Sequence, residues 1–278
     1  MRKNILLPTD FSDNAWSAAV YALKLYSEEE CTFYFTHSIK MKLSTLPYIS
    51  NKFLKIINES AMGELLELKE MAETANTNAN HEFEIILSSD DLLTAIETSV
   101  NKHQIDLVVM GKKGATGAEE LFFGSNTVNT IRKMRLCPIL TVPEDYDFAL
   151  PKQIAFPTDF NRHFREKELK PLKELADMNN AKIRILHINI EPKLNDIQEY
   201  NFTVLKDYLA DYDHSFHWMP DYTKKANEIN EFIKDLKIDV LVMVNYKHSV
   251  IENIVKEPVI KKMGKHPLIP FLVLPSRI

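Results

Sequence analysis

Glycine is scarce in this chain, with six in 278 residues, and four of the six lie between Gly111 and Gly124. Cysteine is scarcer still: Cys31 and Cys137 stand alone, with no CxxC pair. A disulfide framework is therefore excluded, and a reducing cytoplasm is the simplest compartment. No basic excess exists. The formal net charge is −5, which argues against a nucleic-acid surface, because phosphates call for clustered positive charge. No apolar run reaches the ~18 residues that a bilayer span needs. After Met1-Arg2-Lys3-Asn4 comes a short apolar strand and Pro8-Thr9-Asp10, with no signal-peptide core. What is present is ordinary for a globular protein: 45% hydrophobic and 26% charged residues.

Four blocks occur twice in the same order. Asn4-Ile5-Leu6-Leu7-Pro8-Thr9-Asp10-Phe11 returns as Gln153-Ile154-Ala155-Phe156-Pro157-Thr158-Asp159-Phe160. Phe33 to His37 answers to Ile183 to His187, Ile105 to Met110 to Ile238 to Met243, and Leu136 to Pro143 to Leu268 to Pro275. One such match is within the reach of chance; four in order indicate duplication. Two domains are expected, 1–146 and 147–278, with the boundary in the charged, proline-marked stretch from Glu144 to Lys152.

Each copy alternates short apolar runs with helical patterns, the signature of a parallel sheet covered on both faces. In the first copy strands are expected at Ile5 to Leu7, Phe33 to His37, Phe83 to Leu87, Leu107 to Met110 and Ile139 to Val142. Helices are expected at about 14–27, 50–75, 92–101 and 125–134. Ser12 or Asp13 can cap the first, and Asp90 or Asp91 the third. Phe53, Ile56, Ile57, Leu65, Leu66 and Leu68 read as the apolar positions of the long second helix. The second copy repeats this order, with helices near 198–212 and 224–236. The fold class is thus α/β, as two open five-stranded, mostly parallel sheets with helices on both faces.

The glycine cluster reads Gly111-Lys112-Lys113-Gly114-Ala115-Thr116-Gly117, then Gly124-Ser125-Asn126-Thr127. It follows a buried strand and its last glycine opens a helix, the setting in which backbone N–H groups and a helix dipole hold phosphate. Its spacing is neither GxGxxG nor GxxxxGK[ST]. A flexible loop with turn glycines is the plainer alternative. Asp10 lies just past the first strand, where ligands of open parallel sheets bind. It can accept hydrogen bonds from a ribose or base, or support the cap of the first helix; Asp159 repeats it.

The pattern Gly-x2-Gly-x9-Gly-Ser at Gly111, Gly114, Gly124 and Ser125 resembles the ATP-binding signature of universal stress proteins. The opening Ile-Leu-Leu-Pro-Thr-Asp-Phe-Ser, the strand ending in His37, the Asp-Leu-Val-Val-Met-Gly run and the closing Cys-Pro-Ile-Leu-Thr-Val-Pro are similar to that family as well. The resemblance implies a tandem universal stress protein that binds ATP, AMP or ADP in its first domain and allows a magnesium ion beside it. It implies that Asp10 meets the adenine and ribose end, with Pro8 and Thr9 lining the pocket. Ser38 stands where the family has a small apolar contact to the base. Met110 and Gly111 would run along the ribose, and Gly114, Gly124, Ser125, Asn126 and Thr127 would hold phosphates. The second copy has Val244-Asn245-Tyr246-Lys247 in place of the glycines, so no nucleotide is expected there.

No catalytic constellation is visible. His214-x2-His217 lacks further ligands and reads as surface histidines. His37 and His187 read as structural, and Cys137 as a small buried hydrophobe. The aromatic run Tyr208, Tyr212, Phe216, Trp218, Tyr222 reads as core or as a surface for a partner or apolar ligand. Three functions compete: a nucleotide-dependent binding module, a weak ATPase or nucleotide transferase, and a pseudo-dimer scaffold with incidental nucleotide. The apolar fifth strands, Ile139 to Val142 and Phe271 to Leu274, suit pairing within the chain or in a homodimer.

Overall fold

The structure is a computed structural model that describes residues 2–39, 51–112, 124–144, 146–189, 193–220, 225–246 and 269–276. The chain divides into two compact units, Met1–Asp145 and Tyr146–Ile278.

In the first unit the elements run β1 (Lys3–Pro8), α1 (Asp13–Leu25), β2 (Cys31–Ser38), α2 (Asn51–Ala75), β3 (His81–Ser88), α3 (Leu92–His103), β4 (Leu107–Gly111), α4 (Ser125–Lys133) and β5 (Ile139–Val142). The strands lie in the order β3-β2-β1-β4-β5, and every pairing is parallel. The chain builds outward from β1 in one direction and from β4 in the other. A crevice therefore opens beyond the carboxyl ends of these two neighbours. Ile5, Leu6, Phe33 and Val108 are wholly buried, which is why these strands read as continuous apolar runs. Ser12 is the cap of α1, its Oγ accepting from the Ala15 N–H at 3.3 Å. Asp91 caps α3 through the Thr94 N–H at 3.3 Å.

The apolar face expected for α2 needs correction. Its buried residues are Ala61, Leu65, Leu68 and Ala72, whereas Phe53, Ile56 and Leu66 are exposed, at 51%, 51% and 47%. Large apolar residues lie all round this helix. The seam at i, i+4, i+7 and i+11 is selected instead by its two alanines, whose small side chains let the helix sit close on β2 and β3.

The second unit repeats the plan with β6 (Gln153–Pro157), α5 (Glu166–Asn179), β7 (Lys182–Asn189), α6 (Asp196–Tyr208), β8 (His214–Pro220), α7 (Lys225–Asp235), β9 (Val240–Asn245) and β10 (Phe271–Pro275). Its strand order is β10-β9-β6-β7-β8, again parallel throughout. Helix α6 starts before the expected Gln198 because Asn195 and Gln198 form a reciprocal capping box, with bonds of 3.0 and 3.1 Å. It stops at Tyr208, and a turn closes behind it through the Tyr212 N–H and the Leu209 carbonyl. Among the described residues no helix is long and apolar enough to cross a membrane.

Candidate functional site

The crevice of the first unit has two sides. On one side β1 ends in Pro8, and the next N–H, that of Thr9, bonds the Thr36 carbonyl at 2.8 Å. The chain then folds tightly. The Thr9 Oγ1 accepts the Phe11 N–H at 2.9 Å, and Asp10 Oδ1 accepts the Ser12 hydroxyl at 2.6 Å. Phe11 takes φ 62°, a left-handed backbone rare for a bulky residue. Its ring centroid lies 4.5 Å from that of His37. His37 Nδ1 bonds the Thr9 carbonyl at 2.8 Å. A carbonyl only accepts, so Nδ1 carries the hydrogen of this bond.

The other side is the end of β4. A Cβ on Gly111 would lie 2.4 Å from Asn14 Nδ2, 2.7 Å from its Cγ and 2.9 Å from its backbone oxygen. Glycine is needed here for space, because α1 passes directly beneath the strand end. The start of α4 is tied to the same strand. Thr127 Oγ1 donates to the Gly111 carbonyl at 3.0 Å, and the Gly124 N–H to the Lys112 carbonyl at 2.7 Å. Gly124 is the N-cap of α4 and supplies no side-chain bond. The first N–H groups of the helix therefore keep their donor capacity and the positive end of the dipole.

Between these sides lies a cavity of about 340 Å³. Of the residues singled out in the sequence, Pro8, Thr9, Asp10, Ser38, Met110, Gly111, Gly124, Ser125, Asn126 and Thr127 all line it. Gly114 lies outside the described residues. The cavity also takes in Ala15, His37, Asp91, Leu92, Leu93, Asn129 and Thr130. His37 thus braces the turn and faces the cavity at once. Leu92 and Leu93 escaped the sequence reading because an apolar pair in the first turn of a helix looks like core. Asn129 follows Ser125 by four residues, so helical spacing alone places it on the same side of α4. Among the described residues no Lys or Arg side chain lines the cavity, and the α4 N-terminus contributes positive potential to it. The paired histidines elsewhere are engaged separately, His214 with the Tyr212 carbonyl at 2.9 Å and His217 with Ser215 Oγ at 2.8 Å.

The sequence pattern of the universal stress protein family matches residues 1–143. The chain belongs to this family. A universal stress protein of Methanocaldococcus jannaschii is 28% identical over 143 residues, covering 50% of this chain and 81% of that protein. Among solved structures, a universal stress protein from Archaeoglobus fulgidus aligns over 99% of this chain and 98% of its own, with a TM-score of 0.71 at 16% identity. A putative universal stress protein from Pseudomonas aeruginosa aligns over 98% and 92%, with a TM-score of 0.59 at 14% identity. Both share the fold across the two units, so two halves of one fold fit a tandem arrangement.

Set beside the family-matched unit, the second unit keeps the first side of the crevice and replaces the other. Thr158 Oγ1 accepts the Phe160 N–H at 3.1 Å, Asp159 Oδ1 the Asn161 N–H at 3.0 Å, and His187 Nδ1 meets the Thr158 carbonyl at 2.9 Å. Phe160 is left-handed as well, at φ 55°. By strand register Val244 occupies the place of Gly111, and it is buried. Tyr246 then turns its hydroxyl to Asp159, at 3.3 and 3.5 Å from the two carboxylate oxygens. Burial first, and then Asp159, push the Tyr246 phenol well above its usual range, so it stays a donor. Arg162 lies over the Tyr246 ring at 5.0 Å and makes two 2.8 Å bonds to the buried Glu168. The carboxylate whose counterpart lines a cavity in the first unit meets the Tyr246 hydroxyl here.

Proposed function

We propose that the first unit binds an adenine nucleotide, ATP or its di- or monophosphate, and that the chain works as a nucleotide-dependent regulatory module in the stress response rather than as an enzyme. The observation that carries this reading is the α4 N-terminus. With only Gly124 as its cap, it opens into the same cavity as Asp10 and the Met110–Gly111 strand end. Phosphates suit the N–H groups of Ser125, Asn126 and Thr127, with Gly114 joining them by the family pattern. Asp10 is suited to ribose hydroxyls, with Pro8, Thr9 and Ser38 toward the base. A magnesium ion is compatible with the bound phosphates. We read residues 147–278 as a degenerate second domain without a nucleotide, since Val244 stands in the place of Gly111 and the Tyr246 hydroxyl engages Asp159.

Isothermal titration of the full chain with ATP, with and without magnesium, tests this. One site per chain is expected, abolished by Gly124→Pro, which removes an N–H and restricts the entry to α4. Two equal sites, or none, would overturn it. Steady turnover of ATP lost in Asp10→Ala would move the assignment to an enzyme.

A further inference from the structure

The end of β2 and the start of α3 build one wall of the cavity, and several of its polar groups are engaged with one another. Ser38 donates its hydroxyl to the Asp90 carbonyl at 2.6 Å. The Ile39 N–H bonds the Ser88 carbonyl at 2.8 Å. Ser88 Oγ accepts the Asp90 N–H at 3.1 Å, and both Asp91 oxygens are held by Thr94, at 3.3 and 3.1 Å. The turn from β3 to α3 is thereby clamped to β2.

Beside these polar groups the wall offers the cavity two aliphatic side chains. The core face of α3 is Ala95, Ile96, Ser99 and Val100, packed on β1 and β2. Leu92 and Leu93 continue that face by one turn toward the helix N-terminus. The strands beneath end at Pro8 and Ser38, so this extra turn overhangs the sheet. Both leucines are half-buried and line the cavity. Two aliphatic side chains beside a polar cleft suit a flat, weakly hydrated face, and in a nucleotide only the base has one.

Resting on the nucleotide reading above, we propose that Leu92 and Leu93 form the base-contacting wall of the site. They set the preference for a nucleotide over bare phosphate. Leu93, at the flank of the core face, carries the larger share of the contact.

The test compares ATP with inorganic tripolyphosphate on the full chain by isothermal titration. Leu93→Ala removes apolar contact equivalent to about tenfold in affinity. The expected result is about a tenfold weaker ATP complex, unchanged tripolyphosphate binding and an unchanged melting temperature. Leu93→Phe, which keeps apolar area and needs no collapse of the core, is expected to bind ATP at least as tightly as the natural chain and to leave tripolyphosphate unaffected. ATP affinity unchanged in Leu93→Ala, or lost in parallel with tripolyphosphate, would overturn the base wall while leaving nucleotide binding intact. Absence of ATP binding to the natural chain would overturn both. If Leu93→Ala does not fold, Leu93→Phe decides alone: an ATP affinity that falls in step with tripolyphosphate refutes the wall.

Discussion

Placing a single methyl group on Gly111 tests how tightly the site is built. Gly111→Ala sets a Cβ within 2.4 Å of Asn14 Nδ2 and 2.9 Å of the Asn14 backbone oxygen. The amide can swing away. The backbone oxygen cannot move without shifting the first turn of α1, which carries Ser12 as its cap and follows Asp10 directly. Overpacking of this kind costs about 1–3 kcal/mol, and in a unit of this size that lowers the melting temperature by roughly 3–10 °C. Nucleotide affinity is expected to fall by more than about tenfold, because the ends of β4 and β1 form opposite sides of one cavity. Thermal melting followed by circular dichroism reads the first effect, and titration with ATP the second. Asn14→Ala in the same chain removes the amide clash and leaves the backbone clash. The double variant should therefore recover part of the loss and not all of it, with a coupling of about 0.5–3 kcal/mol. If Gly111→Ala melts and binds as the natural chain does, steric exclusion by Asn14 is not the reason for a glycine here. Full recovery in the double variant would show that α1 is free to move.

The paired turns predict unequal costs for equal substitutions. Phe160 is wholly buried among Phe202, His187 and Trp218, so Phe160→Ala should cost about 3–5 kcal/mol in chemical denaturation, while half-buried Phe11, stacked on His37, should cost about half as much; equal costs would refute the packing account. At both positions the Gly variant should be about 1 kcal/mol more stable than the Ala variant, because φ is positive there. Acid should weaken the fold through histidine. Burial first, then Arg184 and Lys182, lower the His217 pKa below 6.5, and burial first, then Lys102, lower that of His103. The unfolded chain takes up these protons first as pH falls, so stability is intact above 6.5 and declines below it until the folded pKa values are passed. Melting temperatures of the natural chain and His217→Gln between about pH 8 and about pH 5.5 should diverge on the acid side, and parallel curves would refute the assignment.

The strands were legible because parallel strands buried on both faces leave unbroken apolar runs, and the four repeated blocks coincide with strands. Caps were legible to within one residue, since Ser12 and Asp91 each had a neighbour of similar chemistry. The face of α2 was not. Hydrophobicity around that helix is nearly even, and the choice rests on which positions are small enough to approach the sheet. Much of the site could be named from the glycine pattern and the position of Asp10, but the reasons behind it are tertiary. Gly111 answers to Asn14, distant in sequence. Leu92 and Leu93 matter because the sheet beneath them stops, and a helical pattern cannot reveal that. The engagement of Asp159 by Tyr246 joins the ends of β6 and β9, which only the strand order makes neighbours.

The comparison of the two units also says which residues carry functional information. The Pro-Thr-Asp-Phe turn and its histidine are built alike in both, down to a left-handed phenylalanine stacked on a histidine that bonds the threonine carbonyl. A feature kept in the unit whose Tyr246 engages Asp159 is explained by folding: the turn closes the end of one strand and launches the next helix. Its presence cannot distinguish a ligand site from a structural turn, and Asp10 taken alone is no stronger evidence than Asp159. The difference lies across the crevice, where Gly111 lets α1 and α4 crowd the end of β4, whereas the second unit has Val244 at that place and turns Tyr246 onto Asp159. On the proposed reading, substitutions at the end of the fourth strand should separate ligand binding from folding more cleanly than any change in the shared turn.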